Sequence, residues 1–241
     1  MSLKGIVLAG GTGSRLVPLT KVTNKHLLPI GEKPMIYYPI EKLTSIGIDR
    51  ILIVTGVEHM GNVVSLLGSG KDFGCQFTYK VQDEAGGIAQ ALGLAEDFAQ
   101  GRPVVVILGD NIFKASLRKY ADNFIAQKTG ARVILKEVQN PQRFGVAEIE
   151  DGKVVNIVEK PKEPKSNYII TGIYFYDFSI FDIIKTLKPS ARDELEITDV
   201  NKSYIKKSQL EYDFLDGWWT DAGTFQSLTK ANELAAKEPP E

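Results

Sequence analysis

The feature that most constrains the fold of this chain is a regular alternation of apolar, β-branched runs with segments of helical spacing. In the first half, strands are predicted at 5–8, 50–54, 76–79, 103–108 and 132–135. Helices are predicted between them at 34–46, 60–67, 88–98 and 117–128. This order is typical of an α/β fold, in which helices cover both faces of a mixed, mostly parallel sheet.

Beyond Phe144 the pattern changes to short, closely spaced strands, predicted at 146–149, 154–158 and 169–176. No linker, repeat or low-complexity tract separates the two halves. We therefore expect a single domain over 1–241, with a smaller β-rich part continuous with the main sheet. Ligands of such sheets bind beyond the carboxyl ends of the strands, so functional residues are expected in the loops after strands.

Composition excludes several classes of function. The chain has 29 Lys and Arg against 30 Asp and Glu, a net charge of −1, so bulk charge gives no reason to bind nucleic acid or an anionic membrane. Its longest apolar run, 104–108, is too short to span a bilayer, and residues 1–8 lack a secretory segment, so a cytoplasmic location is expected. With one cysteine and two histidines, a disulfide framework and a zinc site are both disfavoured, and any metal would have oxygen ligands.

A glycine-rich loop, Gly10-Gly11-Thr12-Gly13-Ser14, follows the first predicted strand. Glycines allow backbone N–H groups to approach phosphate oxygens, although a short cluster is also compatible with a plain tight turn. The dinucleotide-binding fingerprint fails at Leu16, and the P-loop fails because no Gly-Lys-Ser/Thr follows. Arg15 and Lys25 come soon after the loop, and two cations beside a backbone nest favour a polyphosphate ligand.

Asp110 is a candidate metal ligand. Asp110 follows the apolar run 104–108, so it is expected at the carboxyl end of a buried strand. Magnesium is usually held by one or two carboxylates together with substrate phosphates. Taken alone, Asp110 also suits a helix N-cap, and Asp221 suits a turn.

The glycine-rich loop belongs to a longer motif, Gly10-Gly11-x-Gly13-x-Arg15-Leu16-x-Pro18-x-Thr20, followed by Lys25 and Leu28-Pro29. Further stretches that carry the same resemblance are 34–38, 109–111, 144–146, 159–161, 171–174, 194–199 and 220–224. With these motifs the chain resembles the sugar-1-phosphate nucleotidyltransferases, and within them the short-form thymidylyltransferases.

The resemblance implies a Rossmann-like, three-layer nucleotidyltransferase fold. It implies a nucleotide-binding part at 1–135, a sugar-binding part at 136–225 and a C-terminal helix and tail at 226–241. The implied reaction transfers a thymidylyl group from dTTP to glucose 1-phosphate and releases pyrophosphate, with Mg²⁺ as cofactor. The implied assembly is a homodimer or homotetramer.

The resemblance also assigns residues to roles. Catalysis falls to Arg15 and Lys25, and the metal to Asp110 and Asp221. Nucleotide binding falls to Leu8, Gly10, Gly11, Thr12, Gly13, Ser14, Arg15, Lys25, Gln82, Gly87 and Asp110. Sugar-phosphate binding falls to Asn111, Gly145, Glu159, Lys160, Tyr174 and Arg192. Other interpretations stay open for three of these: Glu159 could pair with Lys160, Arg192 could face solvent, and Tyr174 could be a packing residue.

The chemistry of the implied reaction explains this choice of residues. A phosphomonoester has a second pKa of about 6, so its oxygen is already largely anionic at neutral pH and needs no general base. The barrier is repulsion between anions, and positioning and positive charge lower it.

Alternative functions remain at this point. A uridylyl- or cytidylyltransferase is the first, because a glutamine amide such as Gln82 can present either orientation to a base. The backbone N–H of Gly87 would oppose an exocyclic amino group, which disfavours cytosine. A nucleotide-sugar sensing protein without catalysis is the second, but such a protein is expected to have lost a cation or a metal carboxylate. Two departures from the family pattern are His26, where glutamine is usual, and Asp193, where glycine is common.

Overall fold

The computed structural model describes residues 2–241. Within them the strands are β1 (Lys4–Ala9), β2 (Pro29–Ile30), β3 (Lys33–Pro34), β4 (Arg50–Gly56), β5 (Gln76–Gln82), β6 (Val104–Leu108), β7 (Asn111–Phe113), β8 (Ala131–Glu137), β9 (Gly145–Glu150), β10 (Lys153–Glu159), β11 (Tyr168–Tyr176), β12 (Leu210–Phe214) and β13 (Trp219–Asp221).

The helices are α1 (Tyr37–Ser45), α2 (Met60–Leu67), α3 (Ile88–Gly93), α4 (Glu96–Ala99), α5 (Arg118–Gln127), α6 (Ile180–Thr186), α7 (Ile197–Lys206) and α8 (Phe225–Lys237). Across residues 2–241, none of these helices has the length and apolar character needed to cross a membrane.

One large sheet runs through both halves of the chain. Its strand order is β10-β9-β11-β6-β1-β4-β5. In addition, β8 pairs with β11, and β12 pairs with β8. The strands β6, β1, β4 and β5 pair in parallel, whereas β11 is antiparallel to β6, β8 and β9. The β-rich part is therefore continuous with the main sheet, as predicted.

Apolar side chains fill the space on both faces of this sheet. Successive residues of a strand point to opposite faces, so Ile6 packs into one core cluster and Val7 into the other. The cluster around Ile6 includes side chains of α3, α6 and α7, and the cluster around Val7 includes side chains of α1, α2 and α5. This three-layer arrangement confirms the predicted fold class.

Two predicted helices differ from those observed. The helix predicted at 34–46 begins at Tyr37, because Lys33–Pro34 instead pairs with Pro29–Ile30 as a short hairpin. The segment predicted as one helix at 88–98 forms two, α3 and α4. α3 ends at Gly93, a residue type that is unfavourable within a helix.

Candidate active site

The chain ends of two neighbouring strands bring the glycine-rich loop and Asp110 together. The loop leaves β1, Asp110 follows β6, and these parallel strands pair in register at Leu8 and Leu108. Asp221 comes from far along the chain, because β13 pairs with β7 and places it opposite Asn111. The Ala222 N–H donates to the Asp110 carbonyl at 2.8 Å, and this hydrogen bond holds the segment with Asp221 next to Asp110.

Two carboxylates and one guanidinium surround a single point in the site. A Cβ atom built on Gly223 would lie 3.3 Å from Asp221 Oδ2, 3.6 Å from Asp110 Oδ2 and 3.7 Å from Arg15 Nη2. Lys25 Nζ lies 2.5 Å from Asp110 Oδ2, and Arg143 Nη2 lies 3.1 Å from Asp221 Oδ2. Residues predicted for catalysis and for metal binding therefore form one cluster.

The two carboxylates are affected differently by their surroundings. Burial alone would raise the pKa of Asp110, but the Lys25 charge and the hydrogen bonds from Lys25 and Asn111 together hold that pKa well below the usual value, so Asp110 is ionised. Burial, together with the negative charge of Asp110, raises the pKa of Asp221. A cation bound between the two carboxylates would favour the ionised form of Asp221. It would thereby offset both the burial of Asp221 and its repulsion by Asp110.

A cleft opens beside this cluster on the side of β1 and β5, and we call it the nucleotide cavity after the role predicted for its lining residues. The predicted residues that line it are Leu8, Gly10, Gly11, Arg15, Lys25, Gln82, Gly87 and Asp110. Thr12 lines a neighbouring cleft with Gly11 and Asn24, whereas Gly13 and Ser14 line neither. Nucleotide contacts by Thr12, Gly13 and Ser14 stay predictions.

His26 is a buried residue in the wall of the nucleotide cavity. Burial first, and then the nearby Lys25 charge, lower its pKa to about 3, so the imidazole is neutral at pH 7. Its Nδ1 lies 2.7 Å from Asn24 Oδ1. Asn24 Nδ2 in turn donates to the Ala9 carbonyl at 3.2 Å. His26 therefore helps to hold the segment that carries Lys25 against the end of β1.

A second cleft, with a volume of about 200 Å³, lies on the side of β9, β10 and β11, and we call it the sugar cavity. All six residues predicted for sugar-phosphate binding line it: Asn111, Gly145, Glu159, Lys160, Tyr174 and Arg192. The residues that line both cavities are Arg15, Ile88, Leu108, Asp110 and Glu194. The two cavities thus adjoin at the charged cluster.

Glu159 is held from two sides in the sugar cavity. Thr198 Oγ1 donates to Glu159 Oε2 at 2.7 Å. The other oxygen, Oε1, lies 3.6 Å from Lys160 Nζ and 3.4 Å from Arg192 Nη2. The ion pair with Lys160 that the sequence left open is therefore present.

Arg192 is bound by carboxylates rather than free in solvent. Its Nη2 lies 2.8 Å and 2.9 Å from the two oxygens of Glu196, and its Nε lies 3.1 Å from Oε1. Glu194 lies 3.5 Å away. A phosphate contact would have to compete with Glu196 and stays a prediction. The next residue, Asp193, has φ +58°, a backbone conformation that favours glycine.

Asn111 and Tyr174, two residues predicted to bind the sugar phosphate, are both buried and contact other parts of the protein. Asn111 Oδ1 accepts hydrogen bonds from Gly172 N at 3.0 Å and from Trp219 Nε1 at 2.8 Å. Its Nδ2 donates to Asp110 Oδ1 at 3.1 Å. Tyr174 is buried and stacks on Tyr176 with an interplanar angle of 12°. Sugar contacts by Asn111 and Tyr174 stay predictions, and both side chains have clear packing roles.

Sequence reasoning missed several residues of the sugar cavity. Arg143, which immediately precedes the matching stretch 144–146, pairs with Asp221. Thr198 and Glu196 lie inside the matching stretch 194–199, but only their side-chain contacts reveal what they do. Asn201 also lines the cavity, and its Nδ2 is buried without a hydrogen-bond partner in residues 2–241.

Comparison with known proteins gives the family. The family model described as nucleotidyl transferase matches residues 4–238. The chain belongs to this family. The predicted resemblance to sugar-1-phosphate nucleotidyltransferases is thereby confirmed, and with it the prediction that the chain is an enzyme of the nucleotidyl transferase class.

Three relatives show where this nucleotidyl transferase lies within the family. A glucose-1-phosphate thymidylyltransferase from Neisseria meningitidis is 46% identical over 95% of this chain and 81% of its own. One from Xanthomonas campestris is 47% identical over 95% of this chain and 79% of its own. A provisionally named glucose-1-phosphate thymidylyltransferase from Bacillus anthracis, crystallised with a sucrose, is 62% identical with a TM-score of 0.94. That alignment covers 97% of this chain and 95% of the Bacillus chain.

Proposed function

We propose that this nucleotidyl transferase moves a thymidylyl group from dTTP to glucose 1-phosphate, giving dTDP-glucose and pyrophosphate. The observation that carries the proposal is the junction of the nucleotide and sugar cavities at Arg15 and Asp110. A triphosphate in one cavity and a sugar phosphate in the other would meet at the cluster that also holds Lys25 and Asp221. The names of the relatives from Neisseria meningitidis and Xanthomonas campestris agree with this reaction.

In the proposed mechanism, this chain's side chains position two anions and offset their charge. An oxygen of the sugar phosphate attacks the α-phosphorus of dTTP, and pyrophosphate leaves. No general base is required, because the attacking oxygen is already anionic at neutral pH. Lys25 would neutralise charge on the α-phosphoryl oxygens, and Arg15 would stabilise the departing pyrophosphate.

Asp110 and Asp221 have the donor chemistry expected for Mg²⁺. Their Oδ2 atoms approach the same point near Gly223, and Asp110 lines both cavities whereas Asp221 lines the sugar cavity. Among residues 2–241, no group of three or more His, Cys, Asp or Glu could hold a metal, so substrate phosphates would complete the coordination shell. When bound, Mg²⁺ would withdraw negative charge from the phosphate oxygens.

The base is proposed to bind between Gln82 and Gly87. The Gly87 N–H makes no hydrogen bond within residues 2–241, so it can donate to a carbonyl at position 4 of thymine or uracil. Cytosine carries an amino group there, which would face the N–H unfavourably. A cytidylyltransferase is therefore disfavoured. A uridylyltransferase is the second candidate, since a UDP-glucose pyrophosphorylase shares the fold with a TM-score of 0.86, although at 27% identity.

The domain organisation, the location and the assembly of the protein are also proposals. We propose one domain, divided as 1–135, 136–225 and 226–241, that acts in the cytoplasm as a homodimer or homotetramer. Nucleic acid and membranes are not expected as partners, since the net charge is −1.

A coupled assay of pyrophosphate release from dTTP and glucose 1-phosphate tests the proposed reaction. Wild-type turnover should require Mg²⁺, and Asp110→Asn should lower kcat by roughly a hundredfold or more. Asp72→Asn, at an exposed aspartate remote from the site, should behave as wild type. Undiminished turnover in Asp110→Asn would refute the metal assignment. Binding of dTTP without any turnover in the wild type would instead support a sensing protein.

A further inference from the structure

Gln90, a residue of α3, contacts Gln82, the glutamine proposed to bind the base. Gln82 Nε2 donates to Gln90 Oε1 at 2.7 Å. The Gly86 backbone N–H donates to the same oxygen at 3.1 Å. Gln82 Nε2 also lies 3.3 Å from the Gly87 carbonyl oxygen. Gln90 thus links Gln82 to the loop that precedes α3.

These contacts determine which way the Gln82 amide faces. A backbone N–H can only donate, so the Gln90 atom that faces Gly86 must be the oxygen. The Gln82 atom between this oxygen and the Gly87 carbonyl must then be the nitrogen, because two acceptors cannot face an oxygen. Gln82 Oε1 is consequently left on the opposite side, 2.7 Å from the position that a Cβ on Gly10 would take in the nucleotide cavity.

The absence of a side chain at Gly86 leaves room for this arrangement. A Cβ on Gly86 would collide with the amide group of Gln90. The backbone conformation of Gly86 is one that other residues adopt, since its φ is not positive. Space for Gln90, rather than backbone flexibility, is therefore the physical reason that glycine suits this position.

We infer that Gln90 is a positioning residue that sets base specificity by fixing the amide orientation of Gln82. With Oε1 facing the cavity, Gln82 presents an acceptor beside the free N–H donor of Gly87. Thymine and uracil present the complementary pair, a donor at N3 and an acceptor at O4. Cytosine presents the inverse pair. The inference rests on the proposed function, because it assumes that the base binds between Gln82 and Gly87.

The test compares dTTP, dUTP and dCTP as substrates of the wild type, Gln90→Met and Gln90→Glu. Methionine keeps the approximate size and cannot accept the hydrogen bonds, so only the longer contact with the Gly87 carbonyl, at 3.3 Å, still restrains the Gln82 amide. We expect the ratio of kcat/KM for dTTP to that for dCTP to fall roughly tenfold in Gln90→Met. The change should lie mainly in KM for the nucleotides. Gln90→Glu keeps an acceptor oxygen and should retain the wild-type ratio.

The dTTP-to-dUTP ratio is an internal control. Both bases present the same N3 donor and O4 acceptor, so a change in amide orientation should leave this ratio unaltered, whereas general damage to the cavity would move both ratios. Gly86→Ala offers an independent route, since the new methyl group would displace Gln90 and should reproduce the Gln90→Met phenotype. Thermal unfolding of each variant identifies any that fails to fold.

The possible outcomes separate the inference from the proposed function. A wild type that uses dCTP as well as dTTP would overturn the base-binding part of the proposed function. A wild type that discriminates against dCTP, together with folded Gln90→Met and Gly86→Ala variants of unchanged ratio, would overturn the role of Gln90 alone.

Discussion

The pair formed by Lys25 and Asp110 shows how single side chains are adapted to the proposed chemistry. Both groups are largely buried and lie 2.5 Å apart. A buried ion pair is weak evidence for stability, because removing two charges from water costs about as much as their attraction returns. The pair is better understood as a pre-placed positive charge, held by an ionised carboxylate at the junction of the two cavities.

Replacing His26 should change how stability depends on pH. The pKa of His26 is lowered from 6.5 to about 3 in the folded state. Between these pH values the unfolded chain binds the proton and the folded chain does not, so stability falls as the pH falls. His26→Gln should remove up to about 1.4 kcal/mol per pH unit from that slope. Urea unfolding at several pH values measures it, and equal slopes in the two proteins would contradict the prediction.

Thr198 should matter for the sugar phosphate and not for the nucleotide. Its hydroxyl donates to Glu159 at 2.7 Å, and a hydrogen bond to a charged group contributes about 1.5–3 kcal/mol. Thr198→Val should raise KM for glucose 1-phosphate roughly tenfold and leave KM for dTTP unchanged. Thr198→Ser retains the hydroxyl and serves as the matched control. If Thr198→Val leaves KM for glucose 1-phosphate unaltered, Glu159 is not positioned in this way.

Sequence patterns could identify charged residues and not their partners. Arg15, Lys25, Asp110 and Asp221 belong to motifs, and the structure brings all four into one cluster. The contacts of Gln90 with Gln82 depend on how the loop before α3 folds back on β5. These residues come into contact only in the folded chain, so no spacing in the sequence indicates the contact.

Among the secondary-structure elements, the buried strands were the most predictable. β1, β4 and β6 are long apolar runs because both of their faces are covered by helices, and such runs give a clear signal. Helix boundaries were less predictable. Helical spacing continues through Gly93, where α3 ends, and through Pro34, which the structure uses in a short hairpin.

Gly172 in β11 should not tolerate a larger residue. A Cβ there would lie 2.5 Å from Asn111 Nδ2 and 2.7 Å from Leu108 Cγ. Gly172→Ala should therefore lower the free energy of unfolding by about 1–3 kcal/mol and also impair turnover, because Asn111 neighbours Asp110. Gly61→Ala adds a methyl group in open space on α2 and should leave stability unchanged or slightly raised. Chemical denaturation compares the two, and equal stabilities would contradict the prediction.

At the scale of the whole molecule, β11 connects the two cavities. It pairs with β6, which carries Asp110 at its end, and with β8 and β9 in the β-rich part. Both cavities are thus built on one sheet rather than on two hinged units. This explains how residues as distant in sequence as Arg15 and Asp221 can surround one point.

The proposed homodimer or homotetramer is a prediction about the whole molecule. Sedimentation velocity at micromolar concentration should give a species of two or four chains. A single monomeric species that retains full turnover would contradict it.

The central claim is that positive charge at the junction of the cavities drives the transfer of the thymidylyl group. The most direct test measures kcat for pyrophosphate release by Lys25→Met at saturating dTTP, glucose 1-phosphate and Mg²⁺. Lys21→Met, at an exposed lysine of the same segment, is the matched control. The account predicts that kcat falls by roughly 10²–10³-fold in Lys25→Met and is unchanged in Lys21→Met. A folded Lys25→Met protein with the wild-type kcat would contradict it.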